Sequence, residues 1–87
     1  MLEISTAPGP RRDITLVYRG DLPVGHVTRV KHKGKTRYSA FVYCVPAPFD
    51  WFGGAHETLD AAVDLIGREG ETPEYKRTDK RFRKAGK

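Results

Sequence analysis

The chain has 87 residues, of which 38% are hydrophobic and 31% are charged, and its formal net charge is +5. This length allows one small domain with a thin core. The single cysteine excludes an internal disulfide, and no apolar run approaches the ~20 residues of a membrane span. Because residues 1–4 also lack a signal-peptide pattern, we expect a cytoplasmic protein that does not associate with membranes.

Positive charge is concentrated towards the C-terminus. Residues 1–70 contain nine Lys or Arg against eight Asp or Glu, whereas residues 71–87 contain seven against three. At the other end, Pro8, Gly9 and Pro10 interrupt any periodic pattern. The sequence therefore predicts a flexible leader over residues 1–12, a folded domain over residues 13–70 and a flexible basic tail over residues 71–87.

The first two periodic segments have the alternation of β-strands. Residues 13–19 place apolar side chains on one face, and residues 20–23 form a tight connection. A second strand follows over residues 24–31, and its two faces differ little in hydrophobicity. Burying its cations would be costly, so we expect the face without them to point inward. That face carries Val24, His26, Thr28 and Val30.

The third strand, residues 37–45, is apolar on both faces, which predicts a strand that is central or covered on both sides, with homodimerisation through it as an alternative. Gly34 in the preceding turn can adopt the positive φ of a tight hairpin. Residues 59–69 have helical spacing, with Thr58 as N-cap and Gly70 as the C-terminal stop. The predicted fold is α+β, a three-stranded antiparallel sheet packed on one C-terminal helix.

The strongest functional pattern is a series of basic residues around this turn. No acid interrupts it, and a period of two places strand residues on one face. We predict that Phe41 and Tyr43 share this face and flank the cations. A two-stranded ribbon fits a major groove, where cations contact phosphates or guanine edges. The alternative is that the charge only keeps an edge hairpin soluble. The basic residues are Arg29, Lys31, Lys33, Lys35 and Arg37.

The predicted tail contains a second basic cluster. We expect it to add sequence-independent, salt-sensitive contacts with a nucleic acid backbone, although an ordinary disordered end is the alternative. Its residues are Lys80, Arg81, Arg83 and Lys84. Together the two clusters predict a non-enzymatic accessory protein that binds nucleic acid, with DNA favoured over RNA.

An aromatic segment precedes the helix and contains Phe49, Trp51 and Phe52. We expect these rings to close the core between sheet and helix. The alternative is an exposed patch that docks a protein partner, for instance a host protein bound by a phage-encoded modulator.

No pattern of catalysis or of cofactor binding is present. His26, His32 and His56 lack metal-ligand spacing with one another and with Cys44. The pair at residues 53–54 lacks the frame of a phosphate-binding glycine loop. We therefore predict no enzymatic activity, no cofactor and no metal site.

The order of strands, basic turn, aromatic and glycine-rich loop and helix resembles a family of small DNA-binding modules. The likeness is carried by residues 20–25, 37–41 and 52–62, and residues 54–62 are similar to the Gly-x-Phe/His-x-Thr-x-x-x-Ala run of that family. The family comprises the modules of plant ethylene-response factors and of the arm-binding amino-terminal domains of tyrosine integrases. Their sheets carry outward arginine or tryptophan on several strands, whereas the first strand here offers Arg19. The chain also resembles small accessory proteins of actinobacteria, phages and mobile elements.

Overall fold

The computed structural model describes residues 3–44 and 50–73. Within these residues the fold is α+β, as predicted, with a five-stranded antiparallel sheet in chain order and one C-terminal helix. The sheet has two strands more than predicted. The elements are β1 Ile4–Pro8, β2 Ile14–Arg19, β3 Leu22–His32, β4 Lys35–Tyr43, β5 Asp50–His56 and α1 Leu59–Glu69.

The first additional strand, β1, occupies part of the segment predicted to be a flexible leader. It pairs antiparallel with β2, from Ile4 opposite Arg19 to Pro8 opposite Thr15. A Cβ atom added to Gly67 would lie 2.9 Å from Ile4 Cγ1. Gly67 has a low helix propensity, but its missing side chain makes room for β1. This contact joins residues far apart in the chain, so local patterns do not reveal it.

The second additional strand, β5, replaces the predicted aromatic loop. It pairs with β4, with Trp51 opposite Val42 and Phe52 opposite Phe41. A Cβ atom added to Gly53 would lie 2.7 Å from Leu65 Cδ2, so glycine lets α1 approach this strand. Glycine favours turns in isolation, and here it is required for helix packing instead.

The main core cluster lies between α1 and one face of the sheet, and Leu16, Tyr18 and Tyr43 are buried on the other face. Thr58 caps the helix as predicted, because its Oγ1 accepts a hydrogen bond from Ala61 N at 3.1 Å. Gly70 ends it and donates its backbone N–H to Ile66 O at 2.8 Å. The buried cluster consists of Val17, Val24, Val27, Ala40, Val42, Ala62 and Ile66.

Val24 is buried in the core as predicted, but the orientation predicted for the rest of the second strand is wrong. Val27 lies directly opposite Ala40, and both side chains are buried in the cluster under α1. Because alternate residues share a face, Arg29 lies on this side as well. Val30, expected to point inward, is on the other side and 37% exposed. Gly25 explains the choice, because the missing Cβ leaves the space that Ile66 fills.

The third predicted strand corresponds to β4, which lies between β3 and β5. Its central position agrees with its two apolar faces. Both of its edges are paired, so homodimerisation cannot use strand addition at β4.

The folded domain extends past residue 70, where we predicted that the tail begins. Glu71 donates its backbone N–H to Tyr43 O at 2.9 Å. Thr72 Oγ1 donates a hydrogen bond to Pro23 O, and Thr72 and Pro73 are buried. These three residues are therefore an integral part of the packing.

Candidate nucleic-acid interface

The ends of β3 and β4 project beyond their neighbours as a two-stranded ribbon. The β2–β3 pairing reaches Ile14 opposite Thr28, and the β4–β5 pairing reaches Tyr38 opposite His56. The β3–β4 pairing continues to the turn. Four residues at a rise of about 3.3 Å each extend this ribbon by roughly 13 Å. We call residues 29–37 the basic ribbon.

A two-residue turn closes the basic ribbon. Lys33 and Gly34 have φ values of 52° and 77°, as in a type I′ turn, whose twist matches that of the flanking strands. Glycine adopts this conformation freely, whereas lysine there is uncommon. The turn therefore places a cation at the tip of the ribbon in a conformation that asparagine or glycine would adopt more easily.

The cations of the basic ribbon do not form the single row that we predicted. Arg29 lies opposite Tyr38 on the α1 side of the sheet, whereas Arg37 lies opposite Val30 on the other side. In this register each odd-numbered residue of β3 lies opposite an even-numbered residue of β4. The odd-numbered residues of β3 and those of β4 therefore lie on opposite faces of the sheet. Lys31 thus lies on the side of Arg29, and Lys35 on the side of Arg37. Arg37 is partly buried, and the other four cations are exposed.

Carboxylates do not neutralise these cations in the part of the chain that the structure describes. Its ion pairs join Arg11 to Asp13 and Arg68 to Asp64. Strands β1 to β4 contain no Asp or Glu, whereas α1 contains three acidic residues. The strands of the basic ribbon therefore carry cations without acidic residues, whereas α1 carries three carboxylates and one cation.

A small cavity at the base of the basic ribbon brings in one more cation. It has a volume of about 120 Å³, and Arg12, Asp13, Arg29 and Tyr38 are among its lining residues. Sequence reasoning missed Arg12 because it placed residues 1–12 in a flexible leader. No local pattern distinguishes Arg12 from an ordinary charged surface residue.

Aromatic side chains form a row on the face of the sheet opposite α1, here called the far face. His26, Phe41 and Phe52 are directly opposed on β3, β4 and β5. The His26 and Phe41 rings are stacked with centroids 4.9 Å apart, and the Phe41 and Phe52 centroids are 5.6 Å apart. Phe52 is 57% exposed. These three residues, the aromatic row, share the far face with Lys35 and Arg37.

Of the two aromatic residues predicted to flank the cations, Phe41 is partly exposed and Tyr43 is 1% exposed. The Tyr43 hydroxyl is hydrogen-bonded to His26 Nδ1 at 3.2 Å. His26 had no predicted role. The two-residue turn sets the pairing of β3 with β4, and continuing this pairing along both strands would have placed His26 beside Phe41.

Trp51 and Phe52 do not close the core as we favoured. Trp51 is 40% exposed and lies opposite Val42 on the α1 side, whereas Phe52 is on the far face. Neighbouring strand residues point to opposite faces, so these two rings do not form one patch. The remaining predicted site residues lie outside the described part of the chain: Phe49, Lys80, Arg81, Arg83 and Lys84.

Comparison with protein-family models, with curated proteins and with solved structures returned no match. The resemblance to small DNA-binding modules therefore stays a prediction. Across residues 3–44 and 50–73, no three His, Cys, Asp or Glu side chains are grouped as a metal ion would require. Over the same residues, the structure has no helix of the length and apolar character needed to cross a membrane.

Proposed function

We propose that this protein is a non-enzymatic accessory protein that binds nucleic acid through the basic ribbon. The observation that carries the proposal is a projecting two-stranded ribbon whose cations form no ion pair with described residues. The major groove of B-DNA is about 12 Å wide and 8.5 Å deep, and it admits such a ribbon. Phosphates line both walls of the groove, so cations on both faces of the ribbon suit it better than a single row.

The five cations set the expected salt dependence. Each phosphate neutralised on B-DNA contributes about −0.9 to the slope of log K against log salt, so five contacts give a slope of about −4.5. Affinity then falls by roughly 500-fold between about 50 and 200 mM salt. Under the same proposal, Lys80, Arg81, Arg83 and Lys84 add further phosphate contacts and steepen the slope.

The test is a fluorescence-anisotropy titration with short duplex and single-stranded oligonucleotides at several salt concentrations. Replacing Lys33 and Lys35 together by glutamine should make the duplex slope less steep by about 1.8. Arg68→Gln is the matched control, because Arg68 lies on α1 and pairs with Asp64. Absence of binding at micromolar protein in about 50 mM salt, or an unchanged slope in the double variant, contradicts the proposal.

A second candidate is a protein-interaction module, which the exposure of Trp51 and Phe52 on the edge strand β5 favours. An edge strand can accept a strand from a partner, and exposed aromatic residues are enriched at interfaces. Because the two rings lie on opposite faces, a purified partner, such as a host protein, would then lose binding to Trp51→Ser or to Phe52→Ser. Its binding would not change in the double variant of Lys33 and Lys35.

A further inference from the structure

We propose that the exposed ring of Phe52, at the β5 end of the aromatic row, stacks with an unpaired base, so that the protein binds single-stranded nucleic acid along the β4–β5 edge of the far face. This inference rests on the proposed nucleic-acid binding and adds to its phosphate contacts a contact with unpaired bases. Phe52 carries the argument, because its ring is 57% exposed although it belongs to a strand and neighbours Phe41.

Of the three rings, Phe52 is the one that can stack with a base, because His26 and Phe41 are stacked on each other and partly buried. The ring of Phe41 contacts His26 on one side and Phe52 on the other, with centroid distances of 4.9 and 5.6 Å. The rings thus span three neighbouring strands, and the most exposed one is at the edge of the sheet. Every base has a π-face, so aromatic side chains on a basic surface bind single strands with little sequence preference. Bases within a duplex are already stacked on one another and cannot use such a surface.

Two cations on the far face favour a polyanion as the occupant. Lys35 and Arg37 lie on this face of β4, and Arg37 is four residues, or about 13 Å, from Phe41. A strand stacked on Phe52 therefore passes phosphates close to the base of the basic ribbon. The acidic residues of α1 are on the opposite side of the sheet, where they repel a nucleic acid backbone.

The ribbon and the aromatic row make separable contributions. Ribbon cations contact phosphates of a duplex and of a single strand alike, whereas Phe52 in the aromatic row contacts a base. Trp51 supplies the internal control, because it is 40% exposed and adjacent in sequence but lies on the α1 side.

The test compares an oligothymidylate of about 12 nucleotides with an abasic oligomer of equal length and equal phosphate count, which isolates the stacking contribution. Intact bases should strengthen binding by about 5- to 150-fold, the range that stacking of one base corresponds to. Phe52→Leu should remove most of this preference, Phe52→Tyr should retain it, and Trp51→Leu should leave it unchanged.

Equal binding of the two oligomers overturns the inference, and so does a loss of preference in Trp51→Leu instead of Phe52→Leu. The proposed function survives both results if the double glutamine variant of Lys33 and Lys35 still weakens binding to both oligomers. Failure of the native protein to bind either oligomer overturns the inference and the proposed function together. Thermal melting of each variant confirms that the substitution at the exposed Phe52 leaves the fold intact.

Discussion

Replacing Gly25 by alanine should separate α1 from the sheet, because Ile66 of α1 packs in the space that the missing side chain of this glycine leaves. Gly25 is buried in β3, opposite Val17 and Val42. An added Cβ would lie 2.6 Å from Phe41 O and even closer to a methyl group of Ile66. The first of these atoms belongs to the β3–β4 ladder and the second to the buried face of α1, so neither can turn away freely.

The cost follows from these contacts. Real Cβ atoms essentially never lie under 3.0 Å from another heavy atom, so strand or helix must move by several tenths of an ångström. Overpacking of this kind costs about 1–3 kcal/mol. A domain of this size is stable by roughly 4–13 kcal/mol at typical values per residue. A loss of about 2 kcal/mol lowers Tm by roughly 8–16 °C.

Circular dichroism during thermal unfolding measures the shift. Gly34→Ala is the control, because nothing lies within 4 Å of its added Cβ and only the positive φ of 77° opposes the change, at about 1 kcal/mol. Ile66→Leu removes the nearest methyl group, so combining it with Gly25→Ala should recover part of the stability that Gly25→Ala loses. Combined with Gly34→Ala, its effect on stability should be additive. A native Tm for Gly25→Ala, or additivity with Ile66→Leu, refutes this account of the packing.

Three further predictions concern local interactions. Thr72→Val removes the hydroxyl that donates to the buried carbonyl of Pro23. It should lower the free energy of unfolding, measured in urea, by about 1–3 kcal/mol. An unchanged midpoint of urea unfolding would show that residues 71–73 do not anchor the domain. Burial raises the pKa of Tyr18 above its ordinary value of 10.0, so its stabilisation is complete below pH 10 and is lost as pH rises through the raised pKa. Tyr18→Phe should therefore lose less stability under alkaline conditions than the native protein, and identical alkaline unfolding curves would contradict this. Lys33→Asn should keep or raise Tm, because asparagine tolerates a φ near 52°, and should reduce the duplex salt slope by about 0.9; a lower Tm would argue against the type I′ turn before Lys35.

Local patterns were sufficient for the elements that are regular over many residues. Alternation predicted the strands that became β2, β3 and β4, and helical spacing with Thr58 as N-cap predicted α1. Local patterns were insufficient for β1 and β5, which contain proline or glycine. These two strands form because other parts of the chain cover them or pair with them. Gly53 and Gly67, read locally as interruptions, are the positions where Leu65 and Ile4 pack.

The sequence by itself determined which residues carry the charge and the aromatic rings, and that the cations cluster around one hairpin turn. The tertiary structure decided which of them share a surface. The two-residue turn pairs odd positions of β3 with even positions of β4, which divides the ribbon cations between two faces. The helix then covers the face of the sheet on which Gly25 lies. It can pack there because Gly25 has no side chain that would collide with Ile66. The turn sets the register of β3 with β4, but the pairing of β5 and the placement of the helix depend on contacts between residues far apart in the chain, so no local periodicity could assign Phe52 to the face of His26 and Arg37.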